Sequence, residues 1–458
     1  MTTSTDESSP LMESIAALPL EPTRQLNHLP ADAGLPLIGR TYDFINHPEI
    51  WVEQQKKALG SVFQTSMFFR KVVSMCDADA ADLILMDKEQ NFSSRLGWAR
   101  VGFLFSGGIL LRDFHSHRIH RRPLQAAFKS ATMNAYGEQL NALIKNDIAQ
   151  WPLDRTFKFQ PAVKSLLLDN AASLFLGAEL GEESRQLNKA FVDLLDGVLS
   201  IVRKQIPGLA FHRSIKGRET IAAWLDERFE ERLKSDKTDF FTSLCHASQD
   251  PEHAMSKKEV IEHTLLLLFA AHDTTTSSLS NIMSILCQYP EWQDKLREEC
   301  LALDGEALSF SDIGKLEQCD RVFKETLRLV PPVFSIPRRS IRDFEYKGHR
   351  IPANTAIMLQ VYSIHHDERY WSDPYKFDPE RWSPERKEFK NHPYQYVPFG
   401  AGAHKCIGFR FAEMQTKIFL YNFLRHYKIS TKPGRNTAVK QVPIPLPKDK
   451  LPARISKL

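Results

Sequence analysis

Residues 399–408 read Phe399-Gly400-Ala401-Gly402-Ala403-His404-Lys405-Cys406-Ile407-Gly408. One cysteine stands in a loop with three glycines, just ahead of a helical pattern at Phe409-Arg410-Phe411-Ala412-Glu413-Met414-Gln415. A thiolate that ligates a metal needs donors aimed at its sulfur and a backbone that can come close. Glycine permits both, because it adopts positive φ and has no Cβ. Gly400, Gly402 and Gly408 are therefore expected to bend the chain around Cys406. The helix that follows would turn the positive end of its dipole toward an anionic sulfur. A lone cysteine is more often an inert buried thiol, but the glycine frame favours a ligand here.

Outward from this loop, the chain has 458 residues and a net charge of +4. That bias is too weak for a nucleic-acid binder, and no dense Lys/Arg tract with interleaved aromatics is present. The six cysteines, at 76, 245, 287, 300, 319 and 406, form no Cys-x-x-Cys pair. This argues for a reducing, cytoplasmic setting and against a disulfide scaffold or structural zinc. Residues 1–30 read as a polar lead-in to a single domain over 31–458. The apolar run Ile15-Ala16-Ala17-Leu18-Pro19-Leu20 is too short for a transmembrane anchor, and no secretory signal is expected.

The periodicity predicts a fold that is mainly α with small β-sheets. A helix is expected over 48–59, a hairpin over Val62–Cys76 with Arg70-Lys71 near its turn, and short strands over 343–362. Amphipathic helices should fill 133–330, with breaks near Gly177, Pro207 and Pro251, and the tail 427–458 should form a last hairpin. The longest helix, Lys257 to Gln288, is closed by Pro290 and would run about 48 Å. Its segment Leu265–Ala271 is apolar on every face, hence buried. His272-Asp273 and five consecutive hydroxyl residues, Thr274 to Ser278, then interrupt the hydrocarbon. Such a break inside a strong pattern marks a functional site, or else hydroxyls bonding back to carbonyls one turn earlier.

The loop resembles, position by position, the haem-binding loop of the cytochrome P450 family, with His404 where Arg is commoner. Ala270-Ala271-His272-Asp273-Thr274 is similar to that family's oxygen-activating motif, with Ala271 where glycine is commonest. Lys324-Glu325-Thr326-Leu327-Arg328-Leu329, Pro331-Pro332 and Phe377-Asp378-Pro379-Glu380-Arg381-Trp382 resemble its scaffold, in which Glu325, Arg328 and Arg381 would form a structural network. The resemblance implies a long central helix over haem b (iron protoporphyrin IX), with Cys406 as axial iron ligand in a loop opened by Phe399 and Gly400. His117, Arg121, Arg338 and His404 would meet the propionates. The run His115, His117, His120 shares no helix face well, which disfavours zinc.

By the same resemblance, Asp273 would relay protons and Thr274 would hydrogen-bond oxygen at the iron. The implied reaction is insertion of one atom of O2 into a lipophilic substrate: a terpenoid, retinoid, steroid or fatty acid. With no length for a fused reductase, electrons are expected from a ferredoxin or flavodoxin-type donor with its own reductase. The implied pocket draws on the loop Trp98 to Leu110, then Leu266, Phe269, Ala270, Val333, Phe334 and the tail around Ile444. Nearly all of these are apolar, which suits such a ligand. Arg95 is a candidate for a ligand carboxylate. The rival readings are a peroxygenase or hydroperoxide isomerase, and a non-catalytic haem or lipid carrier. The presence of Asp273-Thr274 and of Cys406 counts against them.

Overall fold

A 30-residue helix, Lys257–Leu286, carries the centre of the molecule, and most of its side chains are buried. It starts on a capping box: Ser256 Oγ accepts from the Glu259 N–H, and the Glu259 carboxylate accepts from the Ser256 N–H at 2.9 Å. The structure is a computed structural model that describes Ile15, residues 17–19, 21–32, 34–198, 200, 203–251 and 255–458. Much of the polar lead-in, residues 1–14 included, lies outside the described residues.

The helices that frame the centre are α1 (Phe114–Ala126), α2 (Ser130–Ile148), α3 (Phe159–Leu176), α4 (Glu182–Asp196), α5 (Ala210–Arg232), α6 (Lys257–Leu286), α7 (Glu317–Leu329) and α8 (Phe409–Leu424). Helix α6 packs against α3, α5, α7 and α8, which bury Leu265–Leu268 of its apolar run and leave Ala270 exposed. One large core joins these helices. Gly177 ends α3 in the left-handed conformation at φ 61°, which glycine adopts without strain. Among the described residues no helix is long and apolar enough to cross a membrane.

A six-stranded sheet flanks the helices. Its strands are β1 (Ala31–Asp32), β2 (Val62–Met67), β3 (Arg70–Met75), β4 (Phe92–Ser93), β5 (Ile336–Ser340) and β6 (Ala356–Leu359), in spatial order β1-β2-β3-β6-β5-β4. The expected hairpin is β2–β3, with its turn at Phe68-Phe69, both at positive φ, while Arg70 already pairs with Met67. It is not free-standing, because β3 runs parallel to β6. The tail forms two pairs rather than one hairpin. Tyr427–Ser430 lies antiparallel to Pro452–Lys457, which also takes up Thr156–Lys158, and Val439–Lys440 pairs with Leu446–Pro447. The central helix ends at Leu286, two residues before the expected boundary, and Pro290 opens the next helix.

Candidate active site

The cysteine loop folds back on itself through the Cys406 N–H, which donates to the Phe399 carbonyl at 2.8 Å. Gly400 (φ 65°) and Gly402 (φ 61°) supply the left-handed turns this requires. A Cβ on Gly402 would lie 2.1 Å from the Leu85 carbonyl oxygen, so only glycine fits there. Gly408 does not share this reason. It has an ordinary φ of −92°, caps α8 and directs its N–H toward the sulfur. Cys406 is water-accessible, yet surrounding protein raises its thiol pKa, opposed by the Gly408 N–H, Arg121 and Lys405. An accessible group under dense protein is the floor of a concavity.

Four further residues converge on this loop. His117 and Arg121 lie one turn apart on α1, His117 buried, while Arg118 and Arg122 point outward. The His117 and His404 rings are 3.9 Å apart. Arg121 donates to the Lys405 carbonyl at 2.6 Å. Arg338, on β5, is buried, and its pKa is pushed down to about 10 by that burial. Its one hydrogen bond runs to the neighbouring Pro337 carbonyl, and no carboxylate pairs with it among the described residues. Burial first, then His117 and Arg338, holds His404 well below the usual histidine range. His117 is pushed down to about 4 by burial and Arg121. The result is a recess with a thiol at its floor, two neutral imidazoles and a buried guanidinium that feels Asp113 and Asp87 but forms no ion pair among the described residues.

The loop is braced from behind. Glu325 and Arg328 on α7 and Arg381 are all fully buried. Arg328 grips Glu325 bidentately at 2.8 and 2.9 Å, Arg381 Nε donates to it at 3.1 Å, and Trp382 Nε1 at 3.1 Å. The remaining donors of both arginines reach the carbonyls of His365, Pro374, Asp373 and Lys376 and the Glu388 carboxylate. Val397, two residues before Phe399, donates its N–H to His365 Nε2 at 2.9 Å. The network therefore reaches the loop through backbone.

On the other side, Ala270 is exposed although it sits mid-helix in α6 among buried neighbours. Thr274, one turn on, donates its hydroxyl to the Ala270 carbonyl at 2.7 Å. Thr275, Thr276 and Ser278 bond back in the same way, whereas Ser277 reaches the Pro445 carbonyl at 2.6 Å. That bond, with Asn281 to the same carbonyl at 3.1 Å, holds the tail around Ile444 against α6. Asp273 lies 3.0 Å from His272 Nδ1 and 3.8 Å from Lys164 Nζ of α3. Its pKa is lowered: burial acts to raise it, and His272 and Lys164 outweigh burial. Ala271 packs on the main core rather than opening outward as Ala270 does.

The apolar candidates divide. Phe269 is half-buried with its ring 4.6 Å from that of Phe105, and Leu266 is buried beneath Gly108. Val333 and Ile444 are half-buried. Phe334 stacks on Tyr362 at 5.1 Å within the small cluster beside the sheet, which makes it a packing residue. Arg95 is exposed. Sequence reasoning did not find Lys164, whose approach to Asp273 depends on α3 packing across α6.

This fold and recess define a haem-thiolate oxygenase scaffold, and comparison with known proteins gives the family. The family model for Cytochrome P450 matches residues 30–451. The chain is 31% identical to "Putative cytochrome P450 136" of Mycobacterium tuberculosis, over 94% of this chain and 89% of that one. It is 27% identical to taxane 13-alpha-hydroxylase of Taxus cuspidata, over 93% and 91%. The solved structure of retinoic acid bound cyanobacterial CYP120A1 superposes with a TM-score of 0.86 at 28% identity, covering 94% of this chain and 99% of that one. The chain belongs to the cytochrome P450 family and is a haem-dependent monooxygenase. The residues present fit iron protoporphyrin IX. The accessible Cys406 thiol offers a soft ligand, and the unpaired Arg338 and nearby Arg121 offer cations for its two propionates.

Proposed function

We propose that Cys406 would ligate the haem iron through its sulfur, that Arg121, Arg338, His117 and His404 would hold the propionates, and that Asp273 and Thr274 pass protons from solvent into the recess. The observation that carries this reading is the convergence of the cysteine loop, α1 and β5 on one recess containing a buried, unpaired guanidinium. Haem held by a thiolate would supply the oxygen-activating chemistry. The protein's own residues then do the following. Gly408 N–H and the start of α8 stabilise the sulfur's negative charge. Asp273, kept ionised by His272 and partly open to water, accepts a proton from solvent at its carboxylate. Thr274 Oγ1 takes that proton on its free lone pair and releases its own into the recess, exchanging its bond to the Ala270 carbonyl. Glu325, Arg328 and Arg381 hold the loop in register from behind.

The substrate is lipophilic, as the half-buried Phe269, Val333 and Ile444 beside the exposed Ala270 suit. A terpenoid or retinoid skeleton fits the known ligands and substrates named for similar proteins, retinoic acid and taxanes. Electrons come from a separate small iron–sulfur or flavin donor with its reductase. The test is the reduced carbonyl spectrum of purified protein. Wild type should give the thiolate type and Cys406→Ala should not, and a thiolate spectrum surviving in that variant overturns the assignment. Turnover should require the electron donor; equal turnover with hydrogen peroxide alone would favour a peroxygenase.

A further inference from the structure

Two half-buried guanidiniums, those of Arg100 and Arg203, make no ion pair with a carboxylate among the described residues. Arg100 sits over the Phe68 ring at 4.6 Å, in the short turn Ala99–Val101. Arg203 sits over the Phe103 ring at 4.9 Å, three residues along from Arg100. Neither pairs with a carboxylate among the described residues. Arg203 Nε makes one long bond to the Ser200 carbonyl (3.4 Å), and its Nη2 is shut off from water with no partner. Burial lowers the pKa of both, and each is lowered further by neighbouring arginines, including Arg70. Arg70 itself is paired with Glu21 at 2.9 Å, so no carboxylate is left over for the other two.

Desolvating two like charges side by side is unfavourable. Stacking on phenylalanine offsets only part of that cost. A bound anion would remove the penalty and use the free donors bidentately. The surroundings say what else that anion must carry. Phe103 lies 4.9 Å from Phe211, and the same loop continues to Phe105, which meets Phe269 beside the exposed Ala270. An aromatic path therefore runs from the guanidiniums to the open face of α6. Two residues of chain span at most about 7 Å, so its length is on the order of 15 Å, the reach of a lipid chain or a polyene.

We propose that Arg100 and Arg203 form the anion-binding end of the substrate pocket, and that the substrate is a lipophilic carboxylic acid. Its carboxylate docks between the two guanidiniums, and its hydrocarbon lies along the half-buried Phe103 and Phe269, with Phe105 packed behind them. Oxidation then falls on a carbon remote from the carboxylate. This deepens the reading above and rests on it.

The test is calorimetric titration of the haem-loaded protein with retinoic acid and palmitic acid, each against its methyl ester. The acids should bind at least ten-fold tighter than the esters. Arg100→Gln and Arg203→Gln should each weaken the acids about ten-fold and leave the esters unchanged, while Arg70→Gln should change little. The double variant should lose the acid preference, with an unaltered melting temperature showing that it is folded. Equal affinity for acid and ester, a preference kept by the double variant, or no binding of either acid overturns the proposal. So does loss of phosphatidylserine-vesicle binding in the double variant with the acid preference intact, which would assign the arginines to a lipid surface. Calorimetry reads association and not turnover. Acid preference without oxygenated product would leave this site standing and sink the monooxygenase mechanism; product without acid preference would do the reverse.

Discussion

Arginine is buried in two ways in this molecule, and the contrast separates scaffold from site. Behind the cysteine loop, Arg328 and Arg381 are fully inaccessible, and their donors are met by Glu325, Glu388 and a ring of carbonyls. Arg338 at the recess is buried, and Arg100 and Arg203 are half-buried, each without a carboxylate partner among the described residues. A satisfied buried network rigidifies the chain that carries it. An unsatisfied buried cation is stable only if something outside the chain completes it. The first set holds the loop from behind; under the proposals above, haem propionates would complete Arg338 and a substrate carboxylate would complete Arg100 and Arg203.

The sharpest way to break this comparison is to remove a partner from the satisfied set. Arg381→Ala leaves the Glu325 carboxylate half-compensated in the interior, with an expected cost of about 3–5 kcal/mol. Denaturant unfolding should show it, together with loss of folded holoprotein; an equally stable variant would remove Arg381 from the scaffold.

Acidification probes the same region next. His365 is pushed down to about 3 by burial and by Arg328, and its Nε2 must stay unprotonated to accept from Val397. The unfolded chain binds that proton from about pH 6.5 downward, whereas the folded chain refuses it until about pH 3. Stability contributed by neutral His365 is thus complete above pH 6.5 and falls as pH drops through that window, by a few kcal/mol at most. Melting temperatures followed from pH 7 to 4 should decline, and His365→Gln should flatten the slope. An unchanged slope would show that other groups govern acid sensitivity.

Arg338→Met tests the unsatisfied set. Apoprotein stability should hold or rise, because a buried cation is removed, while hemin affinity falls about ten-fold, or about 1.4 kcal/mol. A variant as destabilised as Arg381→Ala would place Arg338 with the scaffold instead. The smallest effect is expected at Thr274→Ala. That change removes one hydroxyl bonded to Ala270 and should leave haem binding intact, while reducing product per electron several-fold in favour of peroxide. Measured oxygen, peroxide and product balances check it, and unchanged coupling would leave Thr274 as one more hydroxyl bonding back along the helix.

Much of this was legible before any tertiary information. The cysteine loop was readable because close backbone approach demands glycine at fixed spacing, and Gly400 and Gly402 show the positive φ that spacing predicts. The central helix was readable because thirty residues of helical pattern end at turn residues, and its burial followed from apolar residues on every face. The apolar lining was less so. Phe334 and Phe269 look equivalent in one dimension, yet one stacks in the core and the other meets the loop beside Ala270. The five hydroxyls were also ambiguous, since four bond back along the helix and Ser277 alone turns to the tail.

The amino-acid order by itself determined the local conformations and the chemistry each can support: the thiol in its glycine frame, the acid–alcohol pair, and the helical pattern between them. Those depend on backbone sterics and periodicity, which act over a few residues. Tertiary structure alone decided which charges meet. Glu325 finds Arg381 across 56 positions, Lys164 approaches Asp273 from another helix, and Arg100 and Arg203 settle over Phe68 and Phe103 without a carboxylate partner among the described residues. Whether a charge is compensated depends on neighbours brought together by packing, so an arginine's role is invisible until the chain has folded around it.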